Sequence, residues 1–326
     1  MTLDELTKKK QQLDKFRPLP AALVRNLDDW FRVELTYTSN AIEGNTLTRR
    51  ETAMVVEKGI TVGGKTLVEH LEATNHASAL GWLMEQVGRK PETLTEQDIL
   101  RIHELILKGI DDANAGHYRA LPVRISGSSV VLPNPRKVAE LMSRFVEWIG
   151  SAHGLHPVSL AAEVHYRLVT IHPFVDGNGR TARLLMNLVL LMHGYPPAII
   201  RKRDRLSYIS ALEKAQLGGS QNDYLKLIRT SANRSLEIYL KAAQGEIDDS
   251  IDSDRLLKIG EFASRAGLNS STVRHWTKEG ILRIAEVTKA GYQLYHPEEL
   301  ETVKKILILK SQRWTLTEIK SKLKAD

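Results

Sequence analysis

Cysteine is missing from all 326 residues. That excludes disulfides and thiolate-held metals, and it suits a cytoplasmic protein. No run of about 18 or more apolar residues occurs, so no membrane-spanning helix is expected. Met1 to Arg17 is charged and lacks the apolar region of a secretion signal, so export is not expected either. Internal repeats and low-complexity tracts are also missing. Strand signals are sparse. Only Gly59–Leu67, around Gly63-Gly64, and Val123–Leu132, turning at Gly127, read as short hairpins.

What is present is mostly helical spacing. Apolar residues recur at intervals of three and four over 3–16, 20–38, 66–86, 95–108, 135–151, 157–171, 179–193, 204–217 and 221–243. The fold class is therefore mainly α, with small β-elements, over residues 1–245. Residues 246–254 are polar and acidic with little to bury. They read as a linker, or alternatively as an acidic loop packed on the first domain. Residues 255–326 restart a pattern of short helices. The net charge of +7 is uneven: from Arg255 to Asp326, 14 Lys or Arg stand against 8 Asp or Glu, a net of +6. A basic tail points to a polyanion such as nucleic acid, or to a solvated basic face.

The chemistry concentrates in residues 172–183, HPFVDGNGRTAR, between two apolar helices. Gly177, Asn178 and Gly179 can form a tight loop whose N–H groups meet the positive end of the next helix, a cradle for an anion. Arg180 and Arg183 are three apart, so they share a face of its first turn. Two guanidinium groups beside such a cradle suit a polyphosphate. Asp176 supplies one hard oxygen of the kind Mg²⁺ takes alongside phosphate and water. His172 can accept a hydroxyl proton near neutral pH. One Asp and one His make a poor shell for a metal hydrolase. An isolated histidine is more often a packing residue, and the other ten histidines are read that way.

This segment resembles the Fic family signature, HPFx(D/E)GNGRxxR, at every defined position. The resemblance implies a Fic-type helical domain, its core at about 95–240, which moves AMP from ATP to a protein hydroxyl with Mg²⁺. His172 is then the base and Asp176 the metal ligand. Gly177, Asn178 and Gly179 wrap the phosphates, with Asn178 at the α-phosphate. Arg180 meets the β-phosphate and Arg183 the γ-phosphate, while Phe174 anchors the loop in the core. Residues 39–45, SNAIEGN, resemble the family's inhibitory pattern (S/T)xxxE(G/N) through Ser39, Glu43 and Gly44. Glu43 is then a brake paired with Arg183, or a plain helix end, or both. The same glutamate can serve the reverse reaction, removing AMP. Gly116–Pro135 resembles the family's AG-x-YR segment followed by its flap, in which Arg124 to Val131, with Ile125, Ser126 and Gly127 among them, register an extended target segment; the alternative is a plain surface hairpin. Tyr208 is assigned either to the adenosine or to helix packing. A homodimer is a further implication.

Leu257–Leu300 resembles a MerR-like winged helix-turn-helix. Thr272, Arg274, His275 and Lys278 then face DNA from a recognition helix, capped by Ser270, and Lys289 lies in the wing. The alternative is a protein-binding module. Two functions are carried forward: a protein adenylyltransferase restrained by Glu43, and a DNA-binding regulator that senses nucleotide. A variant transferring phosphate or another nucleotide is disfavoured by the intact GNGRxxR.

Overall fold

The computed structural model describes residues 2–152, 154–246, 256–288, 291–297, 299–312 and 314–325. The chain divides into two compact units, 1–246 and 247–326. Apart from Glu246, the expected linker lies outside the described residues.

Among the described residues of the first unit, ten α-helices form: α1 (Leu3–Asp14), α2 (Ala21–Ile42), α3 (Arg49–Lys58), α4 (Leu67–Gln86), α5 (Glu96–Leu107), α6 (Val138–Ser151), α7 (Pro157–Ile171), α8 (Asn178–Met192), α9 (Arg205–Gln216) and α10 (Asn222–Ala243). Four of them begin in the same way. Thr2, Thr48, Thr66 and Thr95 each accept the N–H three residues on, and Glu5, Glu51, Glu69 and Asp98 return the bond. These capping boxes satisfy helix-start donors that have no partner inside the helix.

The core is organised around α8. Nearly every residue from Asn178 to Leu190 is buried, including Leu184, Leu185, Met186, Leu188, Val189 and Leu190. A helix that is apolar all round needs neighbours on every side. Here α2, α4, α5 and α7 supply them. The one polar end of α8 is its N-terminus, and this is where the glycine-rich motif emerges.

Three expectations change. Helix α3 was not foreseen: among its residues only Thr52 and Val55 are buried, which is too few to print a period. Its Thr48 box and the left-handed Gly59 at its end define it instead. Neither expected hairpin has a strand ladder among the described residues. Residues 59–66 form a loop that turns at Gly63-Gly64, with the Val62 N–H on His70 Nε2 at 2.9 Å. Residues 123–132 keep only the turn, closed by the Ser128 N–H on Ile125 O, with Gly127 at φ 76°. Contacts to distant side chains replace the ladder there.

In the second unit, β1 (Leu257–Lys258), α11 (Ile259–Arg265), α12 (Ser270–Lys278), β2 (Glu286–Val287), β3 (Gln293–Tyr295), α13 (Glu299–Ser311) and α14 (Leu316–Ala325) follow in order. The antiparallel sheet has order β1-β3-β2. Trp276, Tyr295, Phe262, Val273 and Ile306 fill its small core.

Candidate active site

Helix α7 ends at His172, whose backbone is left-handed (φ 51°). That conformation costs a side-chain-bearing residue roughly 1 kcal/mol, so something must hold it. Arg119 does: its Nε donates to His172 O at 2.8 Å and its NH2 to Pro133 O at 2.7 Å, while its N–H bonds Pro173 O. The His172 Nδ1 lies 3.3 Å from the Val169 carbonyl. A carbonyl only accepts, so Nδ1 carries the proton and Nε2 keeps its lone pair. Burial lowers the His172 pKa against the opposing pull of Val169, which favours the neutral base.

The loop after His172 is fixed from within. Asn178 Oδ1 accepts the Phe174 N–H and its Nδ2 donates to Phe174 O, both at 2.9 Å. Both ends of the Asn178 side chain are thus engaged in closing the loop. Phe174 is buried and stacks on His103, with centroids 3.6 Å apart. The sequence marks His103 only as one of the ten other histidines. Its Nδ1 accepts the Gly116 N–H at 3.0 Å, so its Nε2–H donates to Asp176 O at 3.0 Å. Burial pushes its pKa down to about 4, keeping this tautomer neutral. Gly177 sits at φ 75°, and a Cβ there would come within 3.1 Å of Ile106 and 3.3 Å of His103. Only glycine fits.

Helix α8 starts at this point without a side-chain cap, so its first N–H groups face a cleft of about 450 Å³. His172, Asp176, Gly177, Gly179, Arg183, Arg124, Ile125 and Ser126 line it. Arg180 is turned aside, with NH1 on Glu72 at 2.8 Å and NH2 on Asp176 at 3.1 Å. Among the described residues no cluster of three or more His, Asp or Glu could hold a metal. Asp176 is exposed at the lip of the loop. As a single ligand completed by phosphate and water it fits the hard-oxygen preference of Mg²⁺.

Ser39 and Glu43 meet Arg183. The buried guanidinium donates from Nε to Ser39 Oγ at 2.9 Å and from NH2 to Ser39 O at 3.0 Å and Glu43 Oε1 at 2.6 Å. Burial works against the charge on Arg183, yet Glu43 and Tyr208 beside it leave its pKa raised. Helix α2 runs four residues beyond the expected end at 38, and Glu43 is its C-cap, followed by Gly44 at φ 105°. The helix-end and ion-pair readings are therefore both realised. Arg205 Nε holds the last carbonyl, Ile42 O, at 2.6 Å. A Cβ on Gly179 would lie 2.5 Å from Glu43 Oε1, so the carboxylate sits directly on the first turn of α8. It occupies an anion's place.

Tyr208 lines the cleft from a mostly interior position. It is 3% exposed, and its hydroxyl bonds His165 Nε2 at 2.8 Å. Behind it, His165 Nδ1 meets the Tyr224 hydroxyl at 2.9 Å, which itself donates to Ala162 O. Its neighbour Ile209, 37% exposed, lines the same wall of the cleft. The flap turn is pinned to α9 by Glu213 Oε1, which accepts Ser128 Oγ at 2.7 Å and the Ser129 N–H at 3.1 Å.

In the second unit, Asn269, not Ser270, caps α12: its Oδ1 takes the Thr272 N–H and Oγ1 at 2.8 Å each. Thr272 is thus occupied and half-buried. Arg274, His275 and Lys278 are exposed, and Arg274 and Lys278 line a hollow with Tyr292 and Gln293. Lys289 lies outside the described residues.

Residues 93–190 match the model of the Fic/DOC family, and 257–326 match that of the MerR HTH family regulatory proteins. A Fic domain containing signaling protein from Bacteroides thetaiotaomicron superposes with a TM-score of 0.68 at 30% identity, covering 75% of this chain and 99% of that one. The chain belongs to the Fic/DOC family. Fic-1 (residues 134–508) of C. elegans gives a TM-score of 0.67 at 31% identity, over 74% of this chain and 72% of that one. The protein adenylyltransferase Fic of Drosophila virilis is 39% identical over 248 residues, 74% of this chain and 50% of its own length. The chain spans about half the length of the curated relatives it matches. Among the described residues no helix is long and apolar enough to cross a membrane.

Proposed function

We propose that this Fic protein transfers AMP from ATP to a hydroxyl of a protein, its own chain included, and that Glu43 restrains the reaction. One observation carries the reading most: a neutral imidazole with a free Nε2, an uncapped helix start and Arg183 share one cleft, and Glu43 sits on the last two. ATP would lie with its phosphates against the N–H groups of Asn178 to Arg180, its γ-phosphate on Arg183 and its adenosine toward Ile209. The target hydroxyl oxygen forms a bond to the α-phosphorus, and the bond to the β-phosphate oxygen breaks, releasing pyrophosphate. His172 Nε2 takes the hydroxyl proton. Asp176 would hold Mg²⁺, which when bound offsets phosphate charge. Catalysis then rests mainly on positioning and on charge complementarity. Residues 124–127 border the cleft where an extended target segment would lie.

Labelling by α-labelled ATP and Mg²⁺, alone and with cell extract, tests this. Glu43→Gly should label protein, and His172→Ala in the same chain should abolish the label. Absence of label in every variant would transfer the weight to the second reading, a nucleotide-sensing DNA regulator. For the C-terminal unit we propose DNA binding through Arg274, His275 and Lys278, supported by the MerR match and the tail's +6 charge. One copy has a small footprint, so a dimer is the expected binding form.

A further inference from the structure

Arg180 needs a lasting counter-charge. It is 3% exposed, and a buried guanidinium left without a partner is costly. Asp176, one of its two partners, is 70% exposed at the cleft lip and is also the candidate metal ligand. When that carboxylate turns to a metal, Glu72 from α4 is what remains. Its two oxygens are divided. Oε1 accepts Arg180 NH1 at 2.8 Å, and Oε2 accepts Asn45 Nδ2 at 2.8 Å.

Asn45 lies two residues beyond Glu43. Its N–H bonds Asn40 O in the last turn of α2, its Oδ1 accepts the Leu47 N–H at 2.9 Å, and its Nδ2 also reaches Glu69 O at 3.1 Å. The turn that presents Glu43 is therefore tied to the carboxylate that sets Arg180. Both motif arginines are linked to the segment from Ser39 to Asn45, Arg183 directly through Ser39 and Glu43, Arg180 only through Glu72 of α4, which Asn45 bonds. Only a carboxylate can accept from both donors at once. A glutamine would turn its NH₂ toward one of them.

We propose that Glu72 is a positioning residue for nucleotide binding, and that the Asn45–Glu72 bond couples the setting of Arg180 to the seating of Glu43. The idea rests on the ATP-binding reading above and adds its regulation. Binding at one arginine and release at the other then share a free energy, and the coupling runs in both directions.

The test uses the full chain with Glu72→Gln and Asn45→Ala, each alone and combined with Glu43→Gly. Titration calorimetry gives the Kd for Mg²⁺·ATP, α-labelled ATP gives transfer, and thermal unfolding checks the fold. In the Glu43→Gly background, Glu72→Gln should weaken ATP binding roughly tenfold, the scale of one charge-assisted bond. Asn45→Ala alone should tighten ATP binding and raise transfer about threefold or more, and should add nothing once Glu43 is glycine. If Asn45→Ala unfolds, Asn45→Asp keeps the Oδ1 acceptor for Leu47 and replaces the donor with a carboxylate oxygen that repels Glu72. An ATP Kd within twofold after Glu72→Gln, or an Asn45 effect that persists without Glu43, would overturn the proposal. If Glu43→Gly labels nothing, the transfer reading fails, while the ATP Kd values still decide this one.

Discussion

The Glu43 carboxylate makes the shortest of the Arg183 bonds, 2.6 Å, from a side chain 38% exposed. A hydrogen bond involving charge contributes about 1.5–3 kcal/mol. Solvent at the exposed carboxylate brings this to the lower part of that range, about 2 kcal/mol. Since about 1.4 kcal/mol is tenfold, Glu43→Gly should raise initial AMP incorporation at subsaturating ATP by roughly 30-fold. Glu43→Gln keeps an acceptor for the charged guanidinium at the same reach but loses the ion-pair attraction, which at a partly exposed site is up to about 1 kcal/mol. The loss is then about 1 kcal/mol, and the rise roughly fivefold. Both Ser39 bonds survive in either variant, so Arg183 stays in place to meet the γ-phosphate. The assay is label incorporation with time at several ATP concentrations, each variant paired with its His172→Ala control. The expected order is Gly above Gln above wild type. A glutamine variant no more active than wild type would remove charge from the explanation. A glycine variant less active than glutamine would remove the brake altogether.

Three other outcomes are expected. The His172 pKa is lowered by burial, so the neutral base is already dominant at pH 7. Transfer by Glu43→Gly should be flat above pH 7 and fall only below the ordinary histidine value of 6.5; an inflection above pH 7 in the kcat profile would contradict this. His76 and His165 are held neutral by burial, each with a pKa of about 3. The unfolded chain takes up those protons below about 6.5, so stability is intact above that pH and falls as pH drops toward 3, by about 2 kcal/mol per histidine between pH 6.5 and 5. An unchanged urea midpoint from pH 7 to pH 5 would refute it. Tyr208→Phe leaves His165 Nε2 without its buried partner and should cost about 1–3 kcal/mol of stability. The ATP KM in the Glu43→Gly background should move less than threefold. A tenfold rise in KM with unchanged stability would return Tyr208 to the adenosine.

The helices that carry the site were legible because each has an apolar stripe that repeats along its own length. Helix α8 was legible for a second reason: its N-terminal residues are glycines and arginines in a pattern that few other demands would produce. Glu43 was visible only through resemblance, since a glutamate before a glycine is equally a helix end, and in the structure it is one. Local pattern failed wherever partners come from far along the chain. Helix α3 buries too little to show a period. The 123–132 segment looked like a hairpin because its residues suit strands, yet its backbone finds no ladder and is held at Ser128 and Ser129 by Glu213 instead.

The same limit explains the residues that were missed. His103 lies about 70 positions from the loop it supports, and Glu72 about 100 from Arg180. Nothing in their immediate neighbours distinguishes them from surface or packing residues. A sequence motif records the groups that must touch the ligand, whose spacing the ligand itself fixes. The groups that orient those residues need only be near in space. Asn178 shows the difference within the motif, since both ends of its side chain orient the loop. The supporting set of Arg119, His103 and Glu72 is set by geometry: Arg119 holds a strained His172, His103 the Asp176 carbonyl, and Glu72 a buried guanidinium. Each meets a specific unsatisfied demand that the motif creates, and those demands are what a search for such residues should start from.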